Sequence, residues 1–288
     1  MLIVTDSGMD MAAEQLEGLE LHIAPLVFTL DGKTYRSGVD VDVPQFYRML
    51  AATSDMPTTS LPSAGEFAEL YRELAKIDPE ILSVHISSGL SGTLASAREG
   101  AKLVPEANIT LYDTKTLSGA EGWHVEAAAR AAKAGWSVAD TVALLEKVTA
   151  ATDTIYTLAT LKYLIHGGRI SHLKGLMASV LNIKPIIGVE KAEGKYAQMG
   201  QARTLDRAIL KLADIVLERY PESTPMRFQP LHGANLEGAQ KLQAYLAERY
   251  ATCEWLPVGP IAPVLGAHTG PGLVGLVYAP LEKFPELP

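Results

Sequence analysis

A run of hydroxyl-bearing and glycine residues, Ser87–Thr93, follows an apolar, strand-like segment and precedes a helix-forming one. In the order strand, tight turn, helix, side-chain hydroxyls and backbone N–H groups gather at the positive end of a helix, where an anion binds favourably. A well-capped structural helix after a buried strand would give the same pattern. The segment therefore predicts an anion site or a structural turn, and other residues have to distinguish the two.

Three further polar clusters fall at predicted strand ends or loops, where binding sites are commonly built. They are Val4–Ser7, Thr58–Ser63 and Gly266–Gly272. The last contains His268, which among small residues could equally be a core histidine with satisfied nitrogens. Many hydroxyl donors and one histidine favour the binding of a single anion.

A serine hydrolase is the competing enzyme hypothesis. Gly89-Leu90-Ser91-Gly92 begins a G-x-S-x-G nucleophile elbow, but Thr93 stands where the last glycine belongs. Asp113 and His268 complete the order Ser, Asp, His that α/β-hydrolases use. The missing glycine counts against this hypothesis, because that glycine admits the sharp turn between strand and helix.

Metal and nucleotide sites have little support in the sequence. His166 and His172 are six residues apart across a Gly-Gly turn, which matches no common zinc-ligand spacing. Neither a G-x-G-x-x-G nor a P-loop motif occurs. Arg169 follows Gly167-Gly168, where an arginine commonly caps the end of a helix. We therefore expect no metal and no cofactor.

Composition restricts the class of protein. The 288 residues carry a formal charge of −8, with 48% hydrophobic and 20% charged residues, which is typical of a soluble globular protein of one large or two ordinary domains. The negative charge and the lack of a Lys/Arg cluster argue against nucleic-acid binding. The single cysteine, Cys253, excludes an internal disulfide and fits a reducing cytoplasm. Neither a signal peptide at the N-terminus nor a membrane span in the Gly- and Pro-rich stretch 255–281 is expected, so we predict a cytoplasmic protein.

Strand-like and helical segments alternate in the first half of the chain, which predicts an α/β domain with a parallel, Rossmann-like sheet. The predicted strands are Leu2–Thr5, Leu21–Phe28, Leu82–Ile86 and Ile109–Tyr112, and the predicted helices are Pro44–Ala52, Glu66–Lys76, Leu94–Leu103 and Ala120–Lys133. Ser63 and Glu66 have the spacing of a capping box before the second of these helices. Ser137 has the position of an N-cap for a further helix.

The second half predicts an α+β domain with a mixed sheet. Its predicted strands are Pro185–Glu190, Lys195–Met199, Met226–Leu231, Cys253–Pro257 and Leu273–Tyr278, and its predicted helices are His172–Leu181, Thr204–Tyr220 and Asn235–Tyr250. We place the domain boundary near residue 153, which gives domains 1–153 and 154–288.

Taken together and in order, six segments resemble the DegV family of bacterial fatty-acid-binding proteins. They are IVTDSGMDM (3–11), PTTSLPS (57–63), SSGLSGT (87–93), HGGRIS (166–171), LNIKPII (181–187) and GAHTGPG (266–272). The pattern runs almost from end to end, and GGRIS, NIKP and HTGPG together are highly specific. Leu61 departs from it, because many relatives carry a polar residue there.

The resemblance implies two domains with one long-chain fatty acid, of about 16 to 18 carbons, in a tunnel between them. It also implies a non-catalytic subunit that presents the fatty-acid carboxylate to a separate ATP-binding fatty acid kinase subunit. The implied ligand-binding residues are Thr59, Ser60, Ser91, Gly92 and His268, with Thr59 and Ser91 on the carboxylate. Arg169 is implied at the surface that meets the kinase. A serine esterase using Ser91 and His268, or a lipid-sensing regulator, are the alternatives.

Overall fold

The computed structural model describes residues 1–173 and 183–288, whose strands form three sheets. The strands β1 (Leu2–Asp6), β2 (His22–Ala24), β6 (Glu80–His85) and β7 (Asn108–Asp113) make a parallel sheet in the order β2-β1-β6-β7. A small antiparallel sheet has the order β4-β3-β5, from β3 (Val27–Leu30), β4 (Lys33–Arg36) and β5 (Thr58–Ser60).

The third sheet has seven strands and is mixed. Its strands are β8 (Asp153–Thr157), β9 (Lys184–Glu190), β10 (Lys195–Ala202), β11 (Met226–His232), β12 (Cys253–Trp255), β13 (Gly259–Pro260) and β14 (Val274–Pro280). They follow the order β10-β9-β8-β14-β11-β12, and β13 pairs with β11. The pairs of β11 with β12 and β13 are parallel, and the other pairs are antiparallel.

Helices connect these strands. They are α1 (Ala13–Leu16), α2 (Val43–Ala52), α3 (Ala64–Ala75), α4 (Thr93–Lys102), α5 (Ser118–Lys133), α6 (Val138–Ala151), α7 (Lys162–His166), α8 (Leu205–Arg219), α9 (Leu236–Ala247) and α10 (Pro263–Thr269), with a 3₁₀ turn at Arg169–His172.

Side-chain alternation along the parallel sheet determines its packing. Val4 and Ile81 face a core that they share with α3 and α4. Ile3 and Leu82 point the other way, into a core that includes α5 and α6. Alternation on both faces buries the sheet between helices, as expected for parallel strands.

Helix α5 lies between the parallel sheet and the seven-stranded sheet. Every residue from Ser118 to Ala129 is buried, and the Nε1–H of Trp123 donates to Oε1 of Gln229 on β11 at 2.6 Å. Helices α8 and α9 cover the opposite face of the seven-stranded sheet, where Leu212 and Leu242 pack in one core. A helix buried on all sides fixes the two sheets relative to each other.

The α/β class, the parallel first sheet and the mixed second sheet are confirmed. The capping box is also present, since Ser63 Oγ accepts from the Glu66 backbone N–H at 3.2 Å and Glu66 Oε2 accepts from the Ser63 backbone N–H at 2.8 Å. The cap at Ser137 accepts from the Asp140 N–H at 3.1 Å. These interactions are local, which is why spacing alone predicts them.

The predicted strand Leu21–Phe28 is wrong as a single element. It divides into β2 and β3, which belong to different sheets. Pro25 lies between them, and a residue without a backbone N–H cannot continue a sheet ladder.

Two further differences concern regions that the sequence assigned to loops. Thr58–Ser60 forms the strand β5, and His268 lies in the helix α10 rather than in a glycine-rich turn.

The predicted helix 172–181 falls almost wholly outside the described residues. The division into 1–153 and 154–288 remains a proposal; the parallel sheet ends at Asp113 and the seven-stranded sheet begins at Asp153.

Candidate functional site

A cavity of about 600 Å³ opens between β5, the loop after β6 and α10. Its wall contains five of the six predicted site residues, which come from four separate parts of the chain: Thr59, Ser60, Ser91, Arg169 and His268. The remaining lining residues are mainly apolar and include Leu26, Leu61, Ile86, Leu90, Leu117, Tyr196, Val264 and Leu265.

Thr59 and His268 are in direct contact at the polar end of this cavity. Thr59 Oγ1 and His268 Nε2 are 2.7 Å apart. When Nε2 carries the imidazole proton, it donates to Thr59, and the Thr59 hydroxyl proton stays available for an anion. His268 Nδ1 is buried and has no hydrogen-bond partner within the described residues. A Cβ at Gly167 would overlap this nitrogen, so a glycine is required for the imidazole to lie against the chain there.

His268 is held in its neutral form. Burial lowers the pKa of His268 to about 4, and the nearby positive charges of Arg169 and His166 act in the same direction. At neutral pH the imidazole therefore offers a hydrogen-bonding dipole without a charge.

We expect the His268→Gln variant to lose less stability on acidification than the parent. The folded-state pKa, about 4, lies below the unfolded value of about 6.5, so the unfolded chain binds more protons between these pH values. The parent should therefore lose about 1–3 kcal/mol more than the variant between pH 6.5 and pH 4; solvent contact of the imidazole keeps the effect below the full shift. Urea unfolding of both proteins across this range measures the difference, because the other titrating groups are common to both. Parallel stability curves would contradict the buried neutral imidazole.

Ser91 lies at the start of α4. Its Oγ is 2.7 Å from Thr93 Oγ1 and accepts from the Thr93 backbone N–H at 3.3 Å. Gly92 is the N-cap of α4 and supplies no side-chain cap. It is the predicted site residue that the cavity wall does not include, and a Cβ there would meet Leu61 Cδ2 at 3.1 Å. Gly92 thus allows Leu61 to pack over the helix start beside the cavity.

Ser60 and Leu61 form the solvent side of the cavity. Ser60 is exposed, and 38% of Leu61 is exposed. Leu61 therefore places an apolar group at the mouth.

Arg169 caps a backbone carbonyl, as its position after two glycines predicts, and it also lines the cavity. Its Nη1 donates to the Gly167 carbonyl at 2.6 Å, which is a structural cap. The half-buried side chain also lines the cavity beside His268. Among the lining residues it is the one with a permanent charge, so it makes the mouth attractive to an anion.

Ser91, Asp113 and His268, the three side chains of the hydrolase hypothesis, form hydrogen bonds with other residues and not with one another. His268 bonds to Thr59 and Ser91 to Thr93. Asp113 accepts from the Ser88 hydroxyl at 2.5 Å and pairs with Lys115 at 3.0 Å. A base within reach of the nucleophile, itself oriented by a carboxylate, is the geometry that a triad requires. These contacts do not form one.

A second, smaller and apolar cavity adjoins the first. The two share four lining residues, Leu117, Tyr196, Leu265 and Thr269. Most of the inner wall is aliphatic, with Leu158, Leu164, Ile187, Ile261 and Leu273. The site is thus polar at its mouth and apolar in its depth.

The turn between β9 and β10 packs against the loop that carries Ser91. Ser87 Oγ donates to the Gly194 carbonyl at 2.8 Å, and a Cβ at Gly89 would overlap the Glu193 carbonyl. Gly194 has a φ of +64°, a conformation that favours glycine. This contact positions Tyr196, two residues further along β10, over the junction of the two cavities.

The sequence did not predict the inner-wall residues. Leu117, Tyr196 and Leu265 belong to apolar segments that look like ordinary core, and no local pattern separates core from a cavity wall. The glycines at positions 89 and 194 are sequence signals of close backbone approach that could have pointed to the contact between these two turns.

The fold and cavity together define a mixed α/β protein with an enclosed site that is polar at one end and apolar at the other. The family model described as "Uncharacterised protein, DegV family" matches residues 1–281, and the chain belongs to the DegV family. A DegV domain-containing protein of Staphylococcus aureus (strain N315) is 33% identical over 276 residues, which cover 96% of this chain and 97% of that protein.

Solved structures agree with this assignment. A DegV family protein from Thermus thermophilus, described as binding fatty acid, superimposes with a TM-score of 0.87 at 29% identity, covering 97% of this chain and 99% of that one. DegV from Bacillus subtilis, described as a fatty acid binding protein, also gives 0.87 at 29% identity, covering 97% and 98%. Within residues 1–173 and 183–288, no helix is both long and apolar enough to cross a membrane.

Proposed function

We propose that this protein binds one long-chain fatty acid and presents its carboxylate to a separate ATP-dependent fatty acid kinase subunit. The observation that carries the proposal is that a cavity with hydroxyl, imidazole and guanidinium groups shares part of its wall with a second, largely aliphatic cavity. A fatty acid has this distribution of polarity. The relatives from T. thermophilus and B. subtilis, which are described as binding fatty acid, support the same ligand class here.

The two ends of the ligand contribute differently. A tail of about 16 carbons contributes about 0.8 kcal/mol per buried methylene, or about 12 kcal/mol before the cost of association. Each hydrogen bond to a charged group contributes about 1.5–3 kcal/mol. The tail therefore dominates affinity, and Thr59, Ser91 and His268 orient the carboxylate.

Neutral donors suit a carboxylate that must react. Ser91 and Thr59, which accepts a hydrogen bond from the neutral His268, can hold one carboxylate oxygen and leave the other free. After the kinase docks, this oxygen attacks the γ-phosphorus of ATP, the bond to the β-phosphate oxygen breaks, and acyl-phosphate and ADP result. ATP-binding residues belong to the partner in this account, and Arg169 lies at the mouth that the partner covers.

Replacing Thr59 by Val or Ser91 by Ala should weaken fatty-acid binding about 10- to 150-fold without abolishing it, because each change removes one charge-assisted hydrogen bond. Titration of delipidated protein with palmitate, followed by calorimetry, measures the effect, and lipid should still co-purify with both variants. Thr29→Val is the matched control, since Thr29 Oγ1 pairs with Thr34 Oγ1 at 3.0 Å on an exposed surface of the same small sheet. Complete loss of lipid from folded Ser91→Ala would show that the head group, not the tail, dominates affinity.

A further inference from the structure

Asp10 is a buried carboxylate that lies behind the wall of the inner cavity. It follows β1, is 5% exposed and is not among the described residues that line either cavity. Its backbone packs against α5, where a Cβ at Gly122 would come within 2.6 Å of the Asp10 carbonyl oxygen. The close contact between this segment and α5 therefore fixes the position of Asp10.

The two carboxylate oxygens of Asp10 bind two segments that form the inner cavity. Oδ1 accepts from the backbone N–H of Ala262 at 2.8 Å. Ala262 directly precedes α10 and follows Ile261, which lines the inner cavity. Oδ2 accepts from the hydroxyl of Ser118, which lines the same cavity at the start of α5. One carboxylate thus joins the start of α5 to the start of α10 behind the inner wall.

The backbone of Ser118 has a conformation that needs such support. Its φ is +60°, in the left-handed region that residues other than glycine rarely adopt. Such a conformation persists only where the surrounding contacts hold it. The Ser118 N–H donates to the Gly8 carbonyl at 2.9 Å, and the Ser118 hydroxyl donates to Asp10. Both contacts come from the segment after β1, so removal of the carboxylate would loosen this part of the wall.

The ionisable groups that face Asp10 in the described part of the chain are Glu121 on α5, Tyr47 on α2 and Tyr156 on β8. Burial raises the pKa of all three above their ordinary values. Burial also raises the pKa of Asp10 to about 7, although the hydrogen bonds from Ser118 and Ala262 act in the opposite direction. Asp10 therefore changes from mainly protonated to mainly ionised between about pH 6 and pH 8.

We propose that Asp10 is a positioning residue for fatty-acid binding, whose carboxylate holds Ser118 and the start of α10 in place as the wall of the inner cavity. The proposal rests on the proposed function, because it requires the tail of the fatty acid to occupy the inner cavity. It adds that a residue outside the cavity walls determines how much affinity a long chain gains over a short one.

Calorimetric titration of delipidated protein with palmitate and with octanoate at pH 8 tests this role. The ratio of the octanoate Kd to the palmitate Kd measures the contribution of the inner cavity, since octanoate needs only the outer one. Asp10→Ala should lower this ratio about 10-fold, which corresponds to the contacts of about two methylenes. Asp10→Asn should lower it only about 3-fold, because an amide keeps both partners through neutral hydrogen bonds, which are about half as strong.

The pH dependence of the ratio separates positioning by the carboxylate from a merely structural role. Between pH 8 and pH 6 the ratio of the parent should fall about 3-fold, to the value of Asp10→Asn, as Asp10 takes up a proton. The ratio of Asp10→Asn should not change over this range. Titration of the ligand carboxylate and of His268 is common to both proteins, so it does not account for a difference between them.

Glu126→Gln is the matched control. Glu126 is a buried carboxylate on α5, 3% exposed, and accepts from Gln15 Nε2 at 3.2 Å and from Arg130 Nε at 3.0 Å. It is not among the described residues that line either cavity. This variant should lose stability and keep the ratio of the parent.

A folded Asp10→Ala protein with the ratio of the parent, or an equal fall of the ratio in Glu126→Gln, would overturn the role of Asp10 and leave the proposed function intact. If Asp10→Ala does not fold, Asp10→Asn and the pH series decide, and the same ratio in parent and Asp10→Asn at every pH overturns the role. Absence of palmitate binding by the parent would instead remove the proposed function.

Discussion

Replacement of Leu265 by tryptophan is expected to deprive the protein of long-chain lipid while leaving it folded. Leu265 lies on α10 and lines both cavities at their junction. An indole there would close the passage and exclude about five methylenes of the tail from the inner cavity, which corresponds to about 4 kcal/mol, or about a 1000-fold loss in affinity. Mass spectrometry of extracted lipid and calorimetry with palmitate measure the loss.

Two controls separate closure of the passage from general damage. Octanoate needs only the outer cavity, so Leu265→Trp should bind it about as well as the parent does. Leu212→Trp introduces the same side chain in the core beneath α8, away from both cavities, and overpacking should cost about 1–3 kcal/mol of stability without loss of lipid. A folded Leu265→Trp protein with the parent's lipid content would show that the tail does not pass this junction.

Arg169→Ala is expected to abolish most acyl-phosphate formation with a cognate kinase while stability and bound lipid stay unchanged. Arg169 lies half-buried at the mouth of the outer cavity, and its planar guanidinium suits recognition of phosphate or carboxylate across an interface. Arginines at the centre of an interface typically contribute 2 kcal/mol or more, so turnover should fall about 30-fold or more. A coupled assay of ADP release with lipid-loaded protein and kinase measures this.

The competing interpretation is that Arg169 only caps the Gly167 carbonyl. Arg169→Lys is the informative companion variant, because it keeps the charge and loses the planar fork. We expect it to retain stability and recover only part of the turnover. An Arg169→Ala protein that melts several degrees lower and supports full turnover would assign the residue to structure alone.

The sequence predicted the polar residues of the site but not the apolar ones. The polar residues belong to short motifs that can be recognised from the neighbouring residues alone. Ser91, for example, sits in a strand–turn–helix pattern that is complete within a few residues. Arg169 and His268 were found through the combination of short motifs. Their joint placement around one cavity depends on contacts between distant segments, as in the Thr59–His268 pair.

The elements that sequence missed depend on such distant contacts. The strand β5 has only three residues and exists because Thr59 pairs with Phe28 of β3. Asp31-Gly32, with φ values of +51° and +71°, forms the hairpin turn that brings β3 and β4 together. This dipeptide is a recognisable hairpin signal that the strand assignment overlooked. The inner cavity could not be predicted, because Leu117 and Leu265 have the same local character as core residues.

Native mass spectrometry of the full chain, purified without detergent from a bacterial host, is the decisive test of fatty-acid binding. We expect one dominant species whose mass exceeds that of the polypeptide by one long-chain fatty acid, and dissociation of this species should release a fatty-acid anion. A protein that carries no lipid from several expression hosts, or that carries a nucleotide instead, would contradict it.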